Sequence, residues 1–157
     1  MIDIVLYEPE IPPNTGNVIR FCANFGCHLH LIGPFGFELS DRRLRRAGLD
    51  YHEWANVQQY SSLAEFNSRC APKRLIAMTT KGKNELHRFT FATGDALLFG
   101  PESRGLPADV LGSLADSAWL RIPMQPHSRS LNLSNAVAIA AFEALRQLGG
   151  LIDSGTA

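Results

Sequence analysis

The sequence predicts one α/β domain in which helices flank a mostly parallel β-sheet. Short apolar runs rich in branched residues alternate along the chain with segments of helical pattern, which is the order of elements in parallel α/β folds. The 157 residues are 45% hydrophobic and 19% charged, so the chain can bury one sizeable core but is too short for two full domains. We expect residues 1–150 to form this domain and the small, polar residues 151–157 to form a flexible tail.

The first elements are a strand, a loop and a helix. Residues 2–7 are apolar except for Asp3, are rich in branched side chains and are soon followed by Pro9, which indicates a strand that ends before the proline. Asn14 is a suitable N-cap for a helix that runs to Gly26. Residues 28–32 then have the pattern of a second strand, so the alternation of strand and helix begins to repeat.

The middle of the chain continues this alternation. Ser40 is placed to cap a short arginine-rich helix that ends near Gly48, and Ser61 or Ser62 begins a helix that runs to about Ala71. Further strands are predicted at residues 74–79, 96–99 and 118–122, with Pro107 in the first turn of a helix between the last two.

The last predicted helix begins after Ser134 as its N-cap and ends near Leu148, before Gly149 and Gly150. Every residue of 136–142 is apolar, so no polar stripe faces water for nearly two turns. Two arrangements account for such a helix. It is either fully buried within the monomer, or its small alanines lie at an interface with a second subunit.

Composition excludes several classes of protein. Fifteen Lys and Arg balance fifteen Asp and Glu, which argues against binding of polyanions by bulk charge. The cysteines at 22, 27 and 70 match neither a zinc pair nor a disulfide framework, and they indicate a reducing, cytoplasmic compartment. The longest apolar run is far shorter than the roughly 20 residues that span a bilayer, so we expect no membrane partner.

Charge is nevertheless uneven along the chain. Residues 42–88 contain ten Lys and Arg against four acids. The run of Arg42, Arg43, Leu44, Arg45 and Arg46 suits contacts with phosphates, because guanidinium groups bind phosphate oxygens in pairs. The two interpretations are an RNA or DNA surface and an ordinary solvated face.

Several familiar catalytic signatures are missing. The sequence contains neither GxGxxG nor GxxxxGK[ST], which excludes the usual dinucleotide fingerprint and the P-loop. A serine-hydrolase elbow fails at Pro101, two residues before Ser103, and an HExxH-like string fails at Asn56. The other histidines show no ligand spacing, so we expect no catalytic metal; they are His28, His30, His87 and His127.

Three loops concentrate Gly, Pro and polar residues at the expected carboxyl ends of strands, where α/β sheets bind ligands. They span residues 12–20, 99–105 and 122–135. The first could meet an anion with the free amides of its helix, and the second could hold its backbone close to a ligand. Helix capping and a tight turn are the simpler interpretations of these two loops.

In this order, the three loops resemble the three motifs of the SpoU branch of the SPOUT RNA methyltransferases. The resemblance covers the chain to about Gly150 and is strongest to the small, stand-alone members of this branch. The matching positions are Asn14, Gly16 and Arg20 in the first motif, Gly100, Glu102 and Gly105 in the second, and Pro123, Ser130, Leu131, Asn132 and Ser134 in the third.

The resemblance implies a fold and an activity. It implies a SPOUT fold with a deep trefoil knot near the C-terminus, a homodimer, and S-adenosyl-L-methionine as cofactor, with S-adenosyl-L-homocysteine as product and no metal. The implied reaction is 2'-O-methylation of the ribose of the wobble nucleotide, a cytidine or a carboxymethylaminomethyluridine, in the anticodon stem-loop of tRNA. By family position, the cofactor pocket involves Met78, Gly100, Ile122 and Ser130.

The resemblance also implies roles at the substrate. Arg20 and Asn132 are the catalytic candidates, with Arg20 orienting the ribose hydroxyl and stabilising its developing charge while Asn132 shapes the third loop. The expected RNA contacts are Arg42, Arg43, Arg46, Lys81 and Arg129. Two alternatives remain open: a non-catalytic module that binds a nucleotide or RNA, and a hydrolase that uses Ser103.

Overall fold

The computed structural model describes residues 2–37 and 56–150. Its strands are β1 (Asp3–Tyr7), β2 (His28–Ile32), β3 (Val57–Tyr60), β4 (Arg74–Met78), β5 (Asn84–Glu85), β6 (Asp95–Phe99) and β7 (Trp119–Arg121). Its α-helices are α1 (Pro12–Phe25), α2 (Leu63–Cys70), α3 (Ala108–Gly112) and α4 (Leu133–Gln147), and short 3-10 helices lie at Leu86–Arg88 and Asp116–Ala118.

The seven strands form one sheet in the order β3-β2-β1-β6-β4-β7-β5, and every pairing in it is parallel. Their carboxyl ends therefore meet at one edge, as the alternation of strands and helices predicts. The α/β class is confirmed. In the register of the central strands, Leu6 lies beside Phe99, and Phe99 lies beside Met78.

Two predicted N-caps are wrong, for two different reasons. Helix α1 begins at Pro12 with Ile11 as its N-cap, so Asn14 lies in the first turn, where it is buried. Helix α4 is capped by Asn132, whose side chain accepts from the backbone N–H of Ser134. Asn14 bonds to segments that are distant in sequence, which local capping rules do not consider, whereas Asn132 is an ordinary N-cap that lies two residues before the predicted one.

The other local predictions agree with the structure within a few residues. Ser62 caps α2 by accepting from the backbone N–H of Glu65, and Pro107 lies at the N-cap of α3, one place before the first turn. Strands β3 and β5 were not predicted, because β3 exposes two glutamines and β5 has only two residues. The expected helix after Ser40 and the arginine run at 42–46 lie outside the described residues.

The core lies on both faces of the sheet. Alternate side chains of β1 point to opposite faces, as the period of two in a strand requires. Ile4 and Leu6 pack with Val18 of α1 and Val137 of α4, whereas Val5 packs on the other face with Phe66 of α2. The helices α1 and α4 therefore cover one face together, next to the loops that follow the strands.

The apolar run of α4 is only partly buried within the monomer. Ala140 and Ala141 are fully buried against the sheet, whereas Ile139 and Phe142 are 43% and 45% exposed. Full burial inside the monomer is therefore wrong for this helix, and its outer apolar face is the part that a second subunit could cover. Within residues 2–37 and 56–150, no helix combines the length and the apolar character that crossing a membrane requires.

The chain crosses itself at β7. Strands β4 and β5 are consecutive in sequence, yet β7 lies between them, so residues 79–83 must pass over β7. The backbone N–H of Thr79 donates to the carbonyl of Leu120 at 2.8 Å. A Cβ placed on Gly82 would lie 2.7 Å from the carbonyl carbon of Leu120, so only glycine fits at this crossing.

We expect Gly82→Ala to destabilise the protein by about 2 kcal/mol or more, because its methyl group would push two backbones apart. Urea unfolding checks this expectation. Gly112→Ala, at the end of α3, is the control, because a Cβ there meets nothing within 4 Å. Equal stability of the two variants would contradict the close approach at Gly82.

Candidate active site

A cavity of about 730 Å³ lies at the carboxyl ends of β4, β6 and β7. Its wall is built from the connections that follow these strands. Met78 and Phe99 end β4 and β6 in register, and Ile122 directly follows β7. The size is that of a typical small-molecule pocket.

The structure brings the four predicted cofactor residues together. Met78, Gly100, Ile122 and Ser130 all line the cavity, as do Lys81 and Asn132. Arg129 is exposed on the same loop as Ser130, but among the described residues it is not part of the lining.

Arg20, the other catalytic candidate, is not brought into the cavity lining that the described part of the chain forms. It is exposed on α1, one to two turns after the residues of the first motif that reach the cavity. Arg42, Arg43 and Arg46 lie outside the described residues.

Gly100 permits the second loop to fold back on itself. A Cβ at this position would lie 2.3 Å from the backbone nitrogen of Leu106 and 2.4 Å from the carbonyl carbon of Gly105. Gly105 has a φ of +66° and donates its N–H to the carbonyl of Pro101 at 2.9 Å. The loop therefore exposes backbone to the cavity at a point where a side chain would not fit.

The carboxylate of Glu102 fastens this loop to the start of α1. It accepts hydrogen bonds from the backbone N–H groups of Glu10 at 2.8 Å and Ile11 at 3.1 Å. Its Oε1 also accepts from Nδ2 of Asn14 at 3.1 Å. A negative group at the N-terminus of a helix is favourable, because free amides and the helix dipole make that end positive.

Asn14 extends this hydrogen-bond network to the third loop. Nδ2 of Asn132 donates to Oδ1 of Asn14 at 2.8 Å. Oδ1 of Asn132 accepts from both the backbone N–H and the hydroxyl of Ser134, at 2.9 and 2.7 Å. Because the Glu102 carboxylate only accepts, it sets the direction of both amides. One chain of hydrogen bonds thus joins the three loops that the sequence analysis selected.

A second set of contacts joins the first two loops. Glu10 accepts from the backbone N–H and the hydroxyl of Ser103, each at 2.8 Å, and these hydrogen bonds hold the pKa of the Glu10 carboxyl below its usual value. Arg104 pairs with Glu8 in the same region. The Ser103 hydroxyl is thus engaged by an exposed carboxylate and ties two loops, which is not the arrangement of a serine nucleophile with a base.

Sequence reasoning missed Arg121 as a cavity residue. It ends β7, lines the cavity and bonds through its Nη2 to Oε1 of Glu85 at 2.7 Å. In the sequence, the feature that could have indicated a cavity residue was its place immediately before Ile122, at the carboxyl end of a predicted strand. The roles of Glu8 and Glu10 had no such signal, because their partners come from a distant part of the chain.

The fold is that of a SPOUT-type methyltransferase. Its features are a parallel sheet flanked by helices and a pocket at the carboxyl edge of the sheet, walled by the three hydrogen-bonded loops. Residues 1–142 match the model of the SpoU rRNA Methylase family, so the chain belongs to this family.

Several known proteins are similar to this chain. A tRNA (cytidine(34)-2'-O)-methyltransferase from Aeromonas hydrophila is 59% identical over 149 residues, which cover 95% of this chain and 96% of that protein. A solved structure described as "Structural insights into the 2-OH methylation of C/U34 on tRNA" has a TM-score of 0.86 and 49% identity, covering 96% of this chain and 97% of the other. The structure of the SpoU methyltransferase AviRb from Streptomyces viridochromogenes in complex with the cofactor AdoMet has a TM-score of 0.79 and 25% identity. The match covers 93% of this chain and 60% of the other.

We expect Asn14 and Asn132 to stabilise the fold as a pair. Asn14→Ala and Asn132→Ala should each destabilise it, the latter by about 1–2 kcal/mol because α4 also loses its cap. A double-mutant cycle by urea unfolding should give a coupling energy of at least about 0.5 kcal/mol. Asn135→Ala, an exposed position one turn into α4, should be additive with Asn14→Ala. Additivity of the Asn14 and Asn132 variants would contradict the amide link.

Proposed function

We propose that this protein transfers a methyl group from S-adenosyl-L-methionine to the ribose 2'-oxygen of the wobble nucleotide of tRNA, a cytidine or a modified uridine. The observation that carries the proposal is the convergence of Met78, Gly100, Ile122 and Ser130 on one cavity in a SpoU family chain. Relatives that are 59% to 51% identical, and that this chain covers almost completely, are named for methylation of cytidine 34.

The cavity suits the proposed cofactor. Met124 and Leu131 are 37% and 38% exposed and line it, so they offer apolar surface to a flat purine ring. The backbone around Gly100 offers hydrogen-bonding groups without a side chain in the way. Met78, Gly100, Ile122 and Ser130 would hold the cofactor, which supplies an electrophilic methyl group on a sulfonium. Because that methyl group is already activated, the transfer requires no metal ion.

In this proposal, Arg20 acts at the ribose hydroxyl. A guanidinium group stays protonated, so it orients the hydroxyl and stabilises negative charge on the oxygen but does not remove the proton. With the cofactor bound, the ribose oxygen would exchange its proton, released to water or a neighbouring phosphate, for the methyl group that the cofactor supplies. Glu102 and Asn14 hold the start of the helix that carries Arg20, and Asn132 holds the third loop against it.

The RNA partner is proposed to be the anticodon stem-loop. Lys81 lines the cavity and is exposed, which suits contact near the reacting nucleotide, and Arg129 is exposed beside the lining residues of the third loop. Arg42, Arg43 and Arg46 are proposed as phosphate contacts. Because tRNA is the proposed substrate, we also propose a cytoplasmic location.

A homodimer is proposed through the outer face of α1 and α4. The exposed side chains of Phe25, Ile139 and Phe142 lie along a groove of about 720 Å³, and the rings of Phe25 and Phe142 are 6.1 Å apart. Ile122 and Pro123 also line this groove, so a second subunit there would touch the loop that closes the active site.

The chain crossing at β7 supports the proposal of a C-terminal trefoil knot. Residues 79–83 cross β7, and after β7 the chain continues through the third loop into α4, which packs against α1. We further propose that residues 1–150 are one methyltransferase domain and that residues 151–157 are a flexible tail.

We expect the protein and S-adenosylmethionine to form 2'-O-methylcytidine at the wobble position of unmodified tRNA, measured by nucleoside mass spectrometry. Arg20→Ala should lower this rate by about 100-fold or more, because a charge-stabilising donor is lost, while cofactor affinity by calorimetry stays nearly unchanged. Arg69→Ala, an exposed arginine on α2, is the matched control and should retain the rate. Cofactor binding without methyl transfer by the unmodified protein would instead support a non-catalytic binding module.

We expect Phe142→Glu to convert a dimer into monomers, because it places a charge in the apolar groove. Light scattering at micromolar concentration measures the change. Ala140→Glu is not a suitable variant, because Ala140 is buried within the monomer and the glutamate would disrupt the core. Ala64→Glu, an exposed position on α2, is the charge-matched control. A monomeric unmodified protein would contradict the proposed interface.

A further inference from the structure

Three side chains with metal-binding groups lie together at the amino ends of β1 and β2, the opposite end of the sheet from the cavity. Asp3 and His28 begin the two strands and are partners in the parallel register. His30 is two residues further along β2, so it points to the same face of the sheet as His28. The neighbouring strands thus place one carboxylate and two imidazoles side by side.

The distances among these groups approach those of a coordinated ion. Oδ1 of Asp3 is 3.1 Å from Nδ1 of His28 and 3.5 Å from Nε2 of His30, and all three atoms lie within 4.8 Å of one another. A tetrahedral ion with bonds of about 2.0–2.1 Å separates its ligand atoms by roughly 3.3 Å. The two distances from Asp3 already match this separation, and the two imidazole nitrogens, which lie within 4.8 Å of each other, complete the set after side-chain movement.

The hydrogen bonds around His30 indicate that it offers a lone pair to this site. The hydroxyl of Tyr60 donates its single proton to Oε1 of Gln58 at 2.6 Å, so it accepts from Nδ1 of His30, which is 3.0 Å away. In the neutral ring, Nε2 is then a bare acceptor. This atom is buried, and within the described part of the chain it has no hydrogen-bond partner.

The lone pair of His30 faces a carboxylate, and two electron-rich atoms at this distance repel unless a positive charge lies between them. Carboxyl groups are ionised at neutral pH in ordinary surroundings. A metal ion or a proton on Nε2 of His30 would each supply the missing positive charge.

We propose that Asp3, His28 and His30 bind one divalent transition-metal ion of the zinc class, with water completing a tetrahedral set. Two imidazoles and one carboxylate suit this class. Tyr60 would fix the orientation of His30 from outside the coordination shell, as partners of metal-bound histidines do. Because the site lies away from the cavity, the ion would hold β1 to β2 and take no part in the reaction.

This site explains why the histidine spacing carried no metal signal. His28 and His30 supply only two ligands, and the third comes from a strand that is distant in sequence. The sequence analysis therefore expected no metal, and the proposed ion, which lies away from the cavity, departs from that expectation. The inference is independent of the proposed methyl transfer.

The test uses the full chain, freed of metal with a chelator and titrated with Zn²⁺ by calorimetry and with Co²⁺ by absorption spectroscopy. We expect one ion per chain, the d–d absorption of tetrahedral Co²⁺, and a higher Tm with Zn²⁺, because the ion binds only the folded state. His28→Ala and Asp3→Asn should each weaken Zn²⁺ binding by about tenfold or more. Both positions are partly exposed, so folding should survive and is verified by circular dichroism.

Two control variants locate the ion. His87→Ala removes an exposed histidine whose Nε2 lies 3.6 Å from Glu85, a pair to which residues 2–37 and 56–150 add no third metal ligand, and it should leave Zn²⁺ affinity unchanged. Cys70→Ser should also leave it unchanged, because its sulfur lies near Nδ1 of His30, on the side of the ring away from the site. The proposal is overturned if the unmodified protein binds neither ion, if both ligand variants bind as tightly as the unmodified protein, or if the metal-free and metal-treated proteins both show a doubly protonated His30 by NMR.

Discussion

The carboxylate of Glu102 makes the contact on which the functional end of this molecule depends. The backbone N–H groups of Glu10 and Ile11, directly before the first helical residue of α1, donate to this carboxylate, which lies 92 and 91 positions further along the chain. Helix α1 and the loop after β6 therefore reach their final positions together. Through the amide of Asn14, the same carboxylate determines how Asn132 is oriented and so how the third loop meets the other two.

Backbone packing and side-chain hydrogen bonds stabilise different parts of this arrangement. Where two backbone segments approach closely, at Gly100 in the cavity wall and at the crossing by Gly82, the chain has no side chain. Where the loops must be held in register, charged and amide groups make long-range hydrogen bonds. Because the loops are fastened to one another as well as to the sheet, the cavity wall is held in place before any ligand binds, which reduces the entropy lost on binding.

The sequence could predict the sheet and the place of the site, because branched apolar runs and glycine-rich loops are local signals. It could not predict what Asn14 does, since a buried amide in the first turn and an N-cap look alike without the partner from Glu102. Strand β5 was missed because two polar residues make a strand only when β7 is beside them. Ile139 and Phe142 could not be told from Ala140 by composition, because an unbroken apolar run has no period that marks its outer face.

The position of β5 at the edge of the described sheet limits the order of assembly during synthesis. Its strand partner is β7, which the ribosome produces later. Asn84 and Glu85 therefore have no strand to pair with until Leu120 and Arg121 have been synthesised. A long or apolar strand in that situation would invite pairing with another chain. A two-residue polar strand avoids this hazard. It can pair with the edge of β7 after the rest of the sheet has formed.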